Sequence, residues 1–221
     1  MIKLVKSKIP SVLETNEASW TKSVKDKKSA GIEPSPTELS RYRHAEIKEA
    51  LLLETHGKCA YCESKFEHIT YGDVEHVSPK SLDPDNMFKW SNLTLACDIC
   101  NTNKGNKFPR GEGLVDPYIY EPSEHFRVVG PLIFGLPNDD NARLTEETLK
   151  LNRTALVERR QQKIHYLRSQ VDVIAKAADR LKPVLLENLM LELAVDQEYS
   201  AIANEYLKPY IGATSIQPAN D

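Results

Sequence analysis

The chain has 221 residues, 40% hydrophobic and 28% charged, the balance of an ordinary globular protein with room for one large or two small domains. A formal net charge of −3 excludes a basic nucleic-acid coat, so any contact with nucleic acid is expected to be local or completed by a partner. The opening MIKLVKSKIPSV lacks the apolar run of a signal sequence or membrane span, and a cytoplasmic protein is expected.

Residues 1–34 are lysine-rich, contain Trp20 and show no sustained periodicity, which predicts an extended arm packed on the body. Ser35 as N-cap, Pro36 at the first position, Glu38 three residues after the cap and Gly57 at the end predict a single helix. Leu39, Tyr42, Ile47, Ala50 and Leu51 would form its apolar face. A strand or hairpin is expected around Tyr71-Gly72-Asp73, entering a loop stopped by Pro79. A second short strand, Leu93 to Ala96, should lead into a helix, so that the order makes a ββα unit. The stretch KFPRGEGLVDPYIYEPSEHF reads as an irregular wrapping loop. Beyond Thr145 the pattern turns helical. Asn152 is the expected N-cap of a long helix whose seam runs through Ile164, Leu167, Val171, Ile174, Ala178 and Leu181 until Pro183 breaks it. Apolar segments Val184 to Val195 and Tyr199 to Ile211 complete a helical region, read as an intramolecular bundle or a surface for another protein.

All four cysteines lie in two pairs, Cys59/Cys62 and Cys97/Cys100. A two-residue spacer lets both thiolates of a pair reach one ion, and four such ligands predict a closed structural Zn²⁺ site. The stretch between the pairs is longer than the usual 15 to 20 or so residues, which implies an inserted element carrying the chemistry. Glu75, His76, Asn92, Asn101 and Lys104 are the candidates. A neutral imidazole at His76 can take a proton from water. Glu75 and Asn101 offer hard oxygens suited to Mg²⁺ or Mn²⁺. Lys104, three residues past Asn101, would share a helix face with it and reach a phosphate as a point charge. Asn92 has donor and acceptor on one amide, enough to pin the Glu75–His76 loop. His44, His56, His68 and His165 lack ligand spacing and are read as structural or exposed.

The run Glu75-His76-Val77-x-Pro79, then Asn92, then Cys97-x-x-Cys100-Asn101-x-x-Lys104, resembles the HNH endonucleases. The resemblance implies Glu75 and Asn101 as ligands of the catalytic metal, His76 as general base, Asn92 as loop anchor and the cysteines as an accessory zinc site. It departs from the commoner pattern in having Glu rather than Asp before the histidine. MIKL, Trp20, GKCAYCES, VEHVSPKS, KFPRGEGLVDP and LKLNRTALVERR together are similar to the HNH nuclease subunits of Septu-type and retron-associated anti-phage systems. That likeness implies a partner, an ABC-type ATPase subunit of the PtuA kind. Asp116 and His125, in the matching tail, are read as structural.

The expected fold is α+β and mostly helical: an N-terminal arm and helix over 1–57, a zinc-stapled ββα-metal module over 58–137, and a helical region over 138–221. The expected function is metal-dependent hydrolysis of DNA phosphodiester bonds within a defence complex. A zinc-stapled nucleic-acid-binding module and an interaction scaffold, neither with catalysis of its own, are the alternatives.

Overall fold

A computed structural model describes residues 1–66, 72–106, 108 and 113–213. The architecture is mostly helical with two small antiparallel sheets. Residues 1–10 run extended, but the expected arm is corrected beyond them: Ser11–Ser29 form a helix, α1. Its buried face is sparse, Leu13 and Val24 with Trp20 edge-on to Phe88 between them, and Glu17 falls on the same stripe. Too few apolar residues mark the face for a periodicity to emerge.

The capping box at Ser35 and Glu38 forms as expected, yet the helix it starts, α2, ends at Leu39 (Pro36–Leu39). A single 3-10 turn follows at Arg41–Arg43, and His44 caps a new helix, α3 (Ala45–Glu54), by accepting from the Glu46 amide at 3.3 Å. Ser40 and His44 inside the run are the break signals, since both favour local bonds to the backbone over helix continuation. The break turns Tyr42 inward, where it is buried.

The ββα unit stands where expected: β1 (Asp73–His76), β2 (Leu93–Ala96) and α4 (Asp98–Lys104). The strands pair antiparallel with Glu75 opposite Thr94 and His76 opposite Leu93. The wrapping stretch is more regular than expected. It contains α5 (Pro122–His125), and a hairpin of β3 (Phe126–Val129) and β4 (Leu132–Gly135) follows where it ends. A helix, α6 (Asp140–Leu149), packs on β4 and α4. A Cβ on Gly135 would lie 2.5 Å from the Arg143 amide nitrogen, so this close approach requires glycine.

Asn152 caps no helix. Its amide brackets Ile133, accepting from the N–H at 2.9 Å and donating to the carbonyl at 2.8 Å. Arg153 stands at the cap of α7 (Thr154–Lys176). The seam is real through Ile174, but Ala178 and Leu181 lie past the helix end, and Pro183 opens α8 (Lys182–Met190) rather than breaking α7. Proline is tolerated in a first turn, where its missing N–H has no partner to lose. α9 (Ser200–Ala213) closes the described chain, and α7, α8 and α9 share a small core of Leu167, Leu189, Ala203 and Leu207. Among the described residues no helix is long and apolar enough to cross a membrane.

Candidate active site and zinc centre

The strand period sorts the site. Successive side chains on β1 alternate faces, so Asp73 and Glu75 share the side that α4 covers. On the α4 side, the buried Lys104 ammonium donates to Glu75 Oε1 at 2.8 Å and to the His76 carbonyl at 2.8 Å. Asn101, one turn earlier on α4, donates its Nδ2 to Asp73 Oδ2 at 3.3 Å. Burial raises the Glu75 carboxyl above its usual range, with Lys104 pulling the other way.

At the end of β1, the His76 ring lies edge-on to Tyr42 with centroids 4.5 Å apart. Its Nε2 is 2.9 Å from the Met87 carbonyl. A carbonyl can only accept, so Nε2 is the donor and Nδ1 keeps the lone pair. Burial lowers the His76 pKa to about 4; the Met87 bond opposes this, and the charges of Lys80, Lys104 and Arg43 add to it. The ring is therefore neutral near pH 7.

Asn92 accepts from the Ser78 amide at 2.8 Å and donates to the carbonyls of Ser78 at 2.9 Å and Asn86 at 3.0 Å. One buried amide thus ties both ends of the excursion between the strands, which also supplies the Met87 carbonyl.

The four cysteine sulfurs lie within 4.8 Å of one another. Zn–S bonds of about 2.3 Å in a tetrahedron place sulfurs about 3.8 Å apart, and the Sγ atoms of Cys62 and Cys97 are 3.8 Å apart. The donor set fits a structural zinc ion. Cys97 is also the N-cap of α4, accepting from the Cys100 amide, so one residue both joins the cluster and starts the helix that carries Asn101 and Lys104.

For a catalytic cation the donors are oxygens: Glu75 and Asn101, with Asp73 beside them. Hard oxygen donors of this kind suit Mg²⁺ or Mn²⁺. Lys104, expected on a phosphate, is instead turned to Glu75.

Five residues about these sites escaped the sequence reading. Asp73 was legible, since the alternation in DVEH puts it on the face of Glu75. Tyr42 and Arg43 from one 3-10 turn, and Lys80 from the loop after β1, reach the His76 side. Arg153 reaches the cysteines, with its guanidinium nitrogens 3.7 Å from Cys100 Sγ, 3.8 Å from Cys97 Sγ and 3.9 Å from Cys62 Sγ. Of the residues set aside, His44 is a cap, His165 bonds Gln161, His56 is exposed, and His125 pairs with Asp139 at 2.5 Å. Asp116 is buried and accepts from the Tyr118 amide. His68 and Tyr71 lie outside the described residues.

A two-stranded sheet packed on one helix, a histidine at the end of the first strand and paired cysteines bracketing both are the parts of a ββα-metal module, and residues 59–107 match the HNH endonuclease family model. That segment of the chain is thus similar to the HNH endonucleases. The chain is similar to the Septu protein PtuB of Bacillus thuringiensis, 35% identical over 107 residues that make up 48% of this chain and 41% of that protein. It is also similar to the Septu protein PtuB of Bacillus mycoides, 26% identical over 198 residues covering 72% of this chain and 66% of that protein. The matched regions span less than two thirds of the length of either relative.

Proposed function

We propose that this chain is a metal-dependent DNA endonuclease, the effector of a cytoplasmic anti-phage defence complex completed by an ABC-type ATPase subunit. The observation that carries the reading is the contact of His76 Nε2 with the Met87 carbonyl. With the proton held on Nε2 by the Met87 carbonyl, Nδ1 is a free base on a ring braced by Tyr42. In the reaction a water oxygen bonds to phosphorus as its proton passes to His76 Nδ1. The bond from phosphorus to the 3′ oxygen breaks, and that oxygen leaves with a proton from solvent. The products are 5′-phosphate and 3′-hydroxyl ends. Glu75 and Asn101 would hold the divalent ion, Mg²⁺ or Mn²⁺, and Asn92 would keep the loop and its carbonyl in register. When bound, that ion supplies positive charge against the charge developing on phosphorus and the departing oxygen. The cysteines would hold zinc, which carries no chemistry but sets α4 against β1. The Septu relatives support the defence setting, and the ATPase partner is what the resemblance to Septu-type systems implies.

A second reading is favoured by one contact. Lys104 already neutralises Glu75, as it would in a module that binds nucleic acid or a partner without cutting. The test is plasmid cleavage by the purified chain, with and without its ATPase partner, in Mg²⁺ or Mn²⁺. His76→Ala should lower cleavage by about a hundredfold or more, as for loss of a general base, with zinc content unchanged. Equal cleavage by wild type and His76→Ala would remove the histidine from the chemistry, and no cleavage by wild type under any of these conditions would favour the binding module.

A further inference from the structure

Two cations stand on the His76 side of the site that the proposed chemistry leaves unused. The Lys80 ammonium donates to the Tyr42 hydroxyl at 3.1 Å and lies 4.5 Å from the centre of the Tyr42 ring. The Arg43 guanidinium carbon lies 5.5 Å from the centre of the same ring. That ring is the one packed on His76. Among the described residues no carboxylate forms an ion pair with either, whereas Lys104 has Glu75, and Lys25 and Lys27 on α1 have Asp85 and Glu38. In a chain with more acids than bases, two cations held at one aromatic ring without an acid leave local positive charge that an anion can meet.

Their placement also matters. Arg43 belongs to the 3-10 turn that interrupts the predicted helix, and Lys80 follows Pro79 at the start of the loop that Asn92 pins. The two segments meet over one aromatic ring. Were 35–57 a continuous helix, this pairing through Tyr42 would not follow from its apolar face. Arg43 also lies outside the segment that matches the HNH family model.

We propose that Arg43 and Lys80 bind backbone phosphates of the DNA strand beside the phosphate at His76, making the Arg41–Arg43 turn part of the substrate site. This rests on the nuclease reading above. Tyr42 sets the spacing between the base and the two phosphate contacts. Because only phosphates are touched, the contribution is independent of base sequence and falls with salt.

The experiment uses the full chain carrying His76→Ala, so that binding is read without cleavage, and a fluorescent DNA duplex titrated at several salt concentrations. Arg43→Gln with Lys80→Gln should weaken binding by about tenfold or more at low salt. The slope of log K against log salt should fall by nearly two, since each phosphate contact contributes about 0.9. Lys182→Gln, remote on α8, should change neither. With His76 restored, the double variant should raise KM for plasmid far more than it lowers kcat. An unchanged salt slope overturns the proposal, as does a fall in kcat with KM unmoved, which would mean the two residues act only through His76. Should wild type neither bind nor cut DNA, the nuclease reading itself falls. A wild type that cuts while the double variant binds with the parental slope removes the phosphate contacts alone.

Discussion

Glu75 and Lys104 form an ion pair 2.8 Å long in which both side chains are nearly buried, 10% and 2% exposed. Each is costly without the other, because the low-dielectric interior penalises a lone charge. Lys104→Met should therefore destabilise the fold by about 3 kcal/mol or more in urea without added divalent ions, in keeping with removal of one partner from a buried pair. Adding Glu75→Gln should recover part of that loss, giving a coupling of about 1 kcal/mol or more in a double-mutant cycle. Additive costs would mean that the two charges do not depend on one another. Asp73 and Glu75 also show how far residue-level reading goes. Strand alternation places both on one face, but that Lys104 takes Glu75 while Asn101 takes Asp73 depends on how α4 rotates against β1, and nothing local sets that rotation.

Among the elements, the clasp between α1 and α2 is the most exposed to pH. Glu38 accepts from Lys27 at 2.7 and 2.8 Å and from the Ser35 amide at 2.8 Å. The Lys27 bond, then those from Ser35, lower its pKa from 4.5 to about 2. A carboxylate with a depressed folded pKa adds stability that is complete above its unfolded pKa and lost as pH falls through the folded one. The difference in denaturation midpoint between wild type and Glu38→Gln should thus be small but measurable at pH 7 and shrink between about pH 4.5 and pH 2. A difference that does not change over that range would show that the clasp does not depend on the carboxylate charge. Both ends of this clasp were half legible. The Ser35–Glu38 box is a local rule satisfied by adjacent residues. α1 was not foreseen because its stripe carries only Leu13, Trp20 and Val24, and its burial is decided by Phe88, a residue far away in sequence.

Across the whole molecule, the cysteine cluster is where the first pair, α4 and the C-terminal helices meet, and Arg153 is the link to the last of these. A planar guanidinium over three sulfurs offsets the negative charge that four thiolates leave on a zinc site. Arg153→Ala should speed zinc transfer to a coloured chelator by about tenfold or more, in the range seen for partners of metal ligands. Arg153→Lys should recover little, since an ammonium does not span three acceptors. Equal release rates in all three proteins would show that the guanidinium does not guard the metal.

What the amino-acid order determined by itself were the features encoded over short spans: the two Cys-x-x-Cys pairs, the β1 and β2 strands, the Ser35 capping box, and the Glu75-His76 to Asn101 spacing. Each follows from neighbours a few residues apart, where backbone geometry leaves little choice. The tertiary structure decided which side chains meet across long separations: Tyr42 with His76, Arg153 with the sulfurs 53 residues or more away, Asn152 with Ile133 instead of a helix end. Such contacts depend on how packed elements are rotated and spaced, and those are set by the whole core at once, which is why no local pattern announced them.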